Sequence, residues 1–165
     1  MAAKEDTMVI VTTTVTINAA FLQEIKEDNR NLKSLLGELR RLIANAEERL
    51  ERRRHLSDLL GQFRDQLAIH FSLEEAFGYF DEPVSVAPQL CARADCLRAE
   101  HGELYQRICD IAESAESFAC YRVSVPTMAQ FAARFIEFDE TLKRHEDNEN
   151  CLILEAFDED IGVGD

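Results

Sequence analysis

The pattern H-x-x-x-E occurs twice in the chain, from His70 to Glu74 in "HFSLE" and from His145 to Glu149 in "HEDNE". On a helix, residues four apart share a face, so each motif would present an imidazole and a carboxylate one turn apart. Those donors suit iron, manganese or zinc, and glutamate is long enough to bridge two ions from opposite helices. With 32 acidic residues in the chain, the spacing alone is a weak signal. Its weight comes from the apolar pattern around it. Phe135, Phe138 and Leu142 step along a three-four seam whose next positions are His145 and Glu149, and Leu152 resumes it. Leu56, Leu60, Phe63 and Leu67 lead in the same way into His70, Glu74 and Phe77. His101 interrupts a third seam, between Leu97 and Leu104. One such histidine reads as a hydrogen-bonded core residue. Three of them with two glutamates read as a metal site, because bare carboxylates in a dry core lose solvation and repel one another.

Four helical stretches would position these groups. The first runs roughly from 18 to 48, with Asn18 as a cap, and Asn29 is the polar member of its seam between Ile25 and Leu32. The second ends before a turn at Asp81, Glu82 and Pro83. The third fades around Ser114 to Ser117, and the fourth starts near Pro126, a residue suited to a first helical turn. Short connections make an all-α, antiparallel up-down-up-down four-helix bundle the expected fold. At about 1.5 Å per residue, Asn29 and His70 each lie about 28 Å from the first connection, while His101 and His145 differ by about 6 Å measured from the third. All four helices therefore deliver a polar side chain to one layer. Asn29 reads equally well as a buried amide that sets register. His55, beside Arg52, Arg53 and Arg54, reads as a surface residue, and Glu75, Glu100 and Glu103 read as solvated. "VIVTTTVT" is extended in character, and the acidic end "EAFDEDIGVGD" is expected to fray. The expected organisation is an N-terminal arm over 1–17, the bundle over 18–157 and an acidic tail over 158–165.

A chain of 165 residues with 46% hydrophobic content has the size of one domain with a real core. A formal charge of -14 argues against nucleic-acid backbones and favours small cations. No apolar run has the length of a membrane span. The run from Met8 to Val11 is too short, and its flank too acidic, for a secretory signal, so the expected compartment is the cytoplasm. Five scattered cysteines without a C-x-x-C pair suggest neither a disulfide framework nor a thiolate zinc site; they are expected to be mostly buried, reduced thiols.

"EDNRNLKSLLGEL", "HFSLEEAFGYF", "EHGELYQRI" and "HEDNENCLI" resemble, in order, the four helices of hemerythrin-like (HHE cation-binding) domains, over about residues 20 to 157. The resemblance implies a bundle holding a non-haem di-iron centre. His70 would serve one metal and His101 and His145 the other, with Glu74 and Glu149 bridging. Zinc or manganese would suit the same ligands. The chain departs from the oxygen-carrying hemerythrins at two positions: Asn29 stands where the first-helix histidine falls, and Tyr105 where a second third-helix histidine falls. Reversible oxygen carriage is therefore not expected. The His/carboxylate members of the family, linked to iron handling, nitric oxide or peroxide chemistry and iron–sulfur repair, are the better likeness. The His70 metal would be left with the glutamates and room for a diatomic molecule or peroxide, and Tyr105 would serve nearby as a donor or a redox-active phenol. The resemblance singles out no catalytic residue. A module whose metal stabilises the bundle and signals iron or oxygen status to a protein partner is the alternative, and a site that has lost its metal is a third reading.

Overall fold

A computed structural model describes residues 27, 29–76 and 80–162, without the side chains of 82, 86 and 157–162. The expected N-terminal arm, the Asn18 cap and Phe77 lie outside the described residues. Among the described residues all regular structure is helical. Helix α1 covers 29–44. It is followed by α2 (Ala46–Glu51), α3 (Arg53–Ala76), α4 (Asp81–Val86), a 3-10 turn (Pro88–Leu90), α5 (Cys91–Cys120) and α6 (Val125–Gly162).

The helices depart from the sequence reading in four places, each with a local cause. The first stretch breaks at Asn45, whose backbone is extended at φ -98 and ψ 109 and whose side chain accepts from the N–H groups of Glu47 and Glu48. The carboxamide offers the backbone an alternative to helix, and so starts α2 afresh. The expected turn at Asp81, Glu82 and Pro83 is the first turn of α4, where a proline's missing N–H costs nothing. Helix α5 does not fade at its serines. Ser114 and Ser117 donate to the carbonyls of Asp110 and Glu113 one turn back, at 2.8 and 3.1 Å, and the helix continues to Cys120. Helix α6, whose first turn includes Pro126, runs on to Gly162, through most of the residues expected to fray.

Among the described residues two apolar clusters form the interior. The larger includes Leu39, Phe63, Leu67, Phe71, Leu104, Phe135, Phe138 and Leu142. The smaller gathers Phe80, Ala87, Leu90, Ala94, Leu97, Leu152 and Ala156. His70, Glu74, His101, His145 and Glu149 fall between them along α3, α5 and α6, and all five are buried. Each fully buried Leu or Phe contributes about 1.5–3 kcal/mol, so the apolar clusters carry the fold and the polar layer draws on them.

Surface ion pairs mark how the helices meet. Arg40 on α1 donates twice to Asp139 on α6 at 2.7 Å, and Arg107 on α5 donates to Glu137 on α6 at 2.8 Å. Such exposed pairs are worth about 0–1 kcal/mol each. No helix among the described residues is long and apolar enough to cross a membrane. The cysteines correct an expectation. Cys91, Cys96, Cys120 and Cys151 are exposed and Cys109 is partly buried, because all five lie off the apolar seams of α5 and α6.

Candidate metal centre

The five histidines and glutamates singled out by spacing meet in one layer. On α3, His70 Nε2 lies 3.2 Å from Glu74 Oε1, as the one-turn spacing requires. The other oxygen, Glu74 Oε2, lies 3.5 Å from His101 Nε2 on α5. His101 Nε2 is also 3.3 Å from Glu149 Oε1 on α6, and His145 Nε2 is 3.1 Å from the same oxygen. Glu74 thus spans two imidazoles with its two oxygens, while Glu149 meets two imidazoles with one.

Phe71 lies against all three rings. Its ring stacks on His101 at 4.2 Å and 7°, and its centroid is 5.9 Å from those of His70 and His145.

Two carboxylates that sequence reasoning left in solvent belong to the site. The Nδ1 of His145 lies 2.8 Å from Glu100 Oε2, and the Nδ1 of His101 lies 3.1 Å from Glu75 Oε1. Each carboxylate accepts an Nδ1–H, which turns the ring's Nε2 toward the interior. Both glutamates sit one residue from a core position, Glu75 beside Glu74 and Glu100 beside His101, so adjacency to the seam was the signal available. Burial works to lower the pKa of His145, but the attraction of Glu149 and Glu100 outweighs it and holds the value above the ordinary one. Burial likewise pushes Glu149 up, and the neighbouring imidazoles of His101 and His145 bring it below the usual carboxylate range.

The layer asks for a cation. Among the described residues, His145 Nε2 and Glu74 Oε2 are buried without a hydrogen-bond partner, an arrangement a protein tolerates when something else satisfies those atoms. Donors from His101, His145 and Glu149 all lie within 4.8 Å of one another. An ion with N and O ligands at about 2.0–2.2 Å holds neighbouring donors about 3.0–3.5 Å apart, and the two imidazole–Glu149 separations, 3.3 and 3.1 Å, fall in that range. The sequence profile of the hemerythrin HHE cation-binding domain matches residues 20–158. The chain belongs to that family. No curated protein and no solved structure matches it significantly. As a domain of this cation-binding family it has a buried His/Glu cluster in its core, contributed by α3, α5 and α6.

The remaining predicted residues lie around this hemerythrin-like cluster. Asn29 on α1 is partly buried and lines a cleft of about 100 Å³ together with His70, Glu74 and Glu149. Tyr105 packs its ring at the edge of the larger apolar cluster. Its hydroxyl engages Cys109, one turn further from the layer, and that hydrogen bond is the first cause of its raised pKa. His55 is a surface residue paired with Glu38 at 2.9 Å, far along α3 from the layer.

Proposed function

We propose that this hemerythrin-like protein holds two iron ions in the His/carboxylate layer and binds or turns over a small molecule there: dioxygen, nitric oxide or peroxide. In this reading α1, α3, α5 and α6 run alternately up and down as a four-helix bundle. His70 serves one ion, His101 and His145 serve the other, and Glu74 and Glu149 lie between them. The observation that supports it most is Glu74, whose Oε1 is 3.2 Å from His70 Nε2 and whose Oε2 is 3.5 Å from His101 Nε2. A carboxylate with one oxygen beside each imidazole, and one of those oxygens left without a hydrogen bond, is disposed as a bridge.

Bound iron supplies Lewis acidity and one-electron chemistry. The chain's own residues supply the rest. Glu75 and Glu100 hold the imidazoles in the tautomer that aims Nε2 inward. Phe71 and the apolar clusters on either side keep bulk water away. The cleft beside Asn29 gives a small molecule a polar route to His70 and the glutamates. An odd number of unpaired thiols suits the cytoplasm.

The test is elemental analysis of protein purified from iron-replete medium, followed by peroxide or nitric oxide consumption. About two irons per chain, in preference to zinc or manganese, with faster consumption than the metal-free protein, is the expected result. Failure to take up stoichiometric metal after anaerobic iron loading refutes it, and metal that changes only stability or partner binding assigns the protein to sensing instead.

A further inference from the structure

Among the described residues the layer has two buried side-chain atoms without a hydrogen bond, and both belong to its His101 side. One is His145 Nε2, 3.1 Å from Glu149 Oε1. The other is Glu74 Oε2, 3.5 Å from His101 Nε2. At 3.1 Å an imidazole and a carboxylate are close enough to bond, so a pair that misses bonding geometry is aimed at something other than each other.

The donors on this side are already gathered. His101, His145 and Glu149 bring two nitrogens and an oxygen within 4.8 Å of one another, and the three residues are buried. Two imidazoles and one carboxylate are a set that suits ferrous iron and leaves coordination positions open. Charge points the same way. Glu74 and Glu149 together take two negative charges into a dry interior, the number that one divalent ion cancels. This side also has its own approach from solvent. A cleft of about 190 Å³ between α5 and α6 is lined by His145 with Glu100, Glu103, Arg107, Arg144 and Asn148, apart from the cleft beside Asn29.

We infer that His101, His145 and Glu149 form a metal site in their own right, which takes the first divalent ion and holds it without His70. Glu74 supplies the second negative charge through the oxygen that faces His101. Because the donors converge beforehand, little ordering has to accompany binding. The inference goes beyond the di-metal reading, since it holds whether or not a second ion enters, and it makes His70 a requirement of that second ion alone.

The experiment uses the full chain, made metal-free and titrated anaerobically with ferrous iron. Bound iron is measured by elemental analysis after desalting, affinity by competition with a chelator, and helicity by circular dichroism. Wild type is compared with His70→Ala, His70→Gln and His145→Ala. The His70 variants are expected to keep one ion per chain, bound within about tenfold of the first ion of wild type. His145→Ala is expected to bind its first ion more than about 100-fold more weakly, beyond the roughly 10–100-fold cost of losing an outer hydrogen-bond partner. Folded His70 variants that hold no ion, or a first ion bound as tightly in His145→Ala as in wild type, overturn the inference. A measurement on wild type alone covers the case in which neither His70 variant folds. The chain has four histidines, and at one equivalent of zinc the ring nitrogen signals of His101 and His145 are expected to move in NMR spectra while that of His70 stays. All three moving in step overturns the inference. Wild type with two ions and folded His70 variants with none leaves the di-metal reading standing by itself. A single ion in wild type, lost in His145→Ala, leaves this inference standing without that reading, and no ion at all removes both.

Discussion

Replacing Glu100 by glutamine tests how the layer is held. The Glu100 carboxylate, with a side chain 44% exposed, meets His145 Nδ1 at 2.8 Å, while the imidazole side chain is 1% exposed. The substitution keeps size and one acceptor but removes the charge, and charge-assisted hydrogen bonds are roughly twice as strong as neutral ones. Losing such a partner behind a metal-binding histidine costs about 10–100-fold in metal affinity, or about 1.4–2.7 kcal/mol. Because Glu100 is nearly half exposed, its net worth to the metal-free fold is no more than about 1 kcal/mol. The expected signature is therefore weaker metal binding with almost unchanged stability. Zinc suits the assay because it is redox-silent. The variant and wild type are titrated in competition with a chromophoric chelator, and the metal-free proteins are unfolded in urea in parallel. Glu75→Gln is expected to behave alike but nearer tenfold, since its contact with His101 is longer at 3.1 Å and its side chain is 56% exposed. Wild-type zinc affinity in Glu100→Gln, or a loss of more than about 3 kcal/mol in the metal-free protein, would refute the orienting role.

Three further outcomes are expected. Glu74→Ala and Glu149→Ala each lose both metals on elemental analysis, whereas His55→Ala keeps full metal content, its exposed pair with Glu38 being worth at most about 1 kcal/mol; equal loss in all three contradicts the assignment. Phe71→Ala costs about 3–5 kcal/mol in urea unfolding, because it empties a buried ring position and unstacks His101. In chelator-treated protein, stability follows the two shifted groups. His145, raised above 6.5, contributes fully below that pH, and its contribution fades as pH climbs through the folded value. Glu149, lowered below 4.5, contributes fully above that pH, and its contribution fades as pH falls through the folded value. Melting temperature without metal should thus peak between those limits, and a rise continuing into alkaline pH would contradict the pairing.

The polar layer was legible because its members sit where apolar residues belong. His70, Glu74, His101, His145 and Glu149 each replace a seam position, and the two apolar clusters flanking them are the interrupted seams resumed on either side. Glu75 and Glu100 were not legible. They sit at the edges of their helices, where period counting sees only a polar face, and their relevance comes from which neighbouring helix they lean toward. The break at Asn45 was hidden for another reason: the apolar period carries on through Ala46 and Leu50, while one side chain caps a new helix. Spacing put Tyr105 one turn from His101, yet spacing has no say in which way a phenol points, and its hydroxyl turns to Cys109.

The ring of Phe71 has a consequence for selectivity. Because it touches all three imidazoles at once, none of them can swing without displacing a side chain wedged in dense interior, where even small shifts are resisted. A cage so braced holds its donors in one arrangement and cannot reshape itself around each visitor. Affinities among divalent ions should then depart from the intrinsic order of nitrogen and oxygen donors, in which copper outranks iron, because an ion whose preferred coordination the fixed donors do not match is penalised. Which ion the protein keeps is thus set by the shape of the layer as well as by what the cell offers.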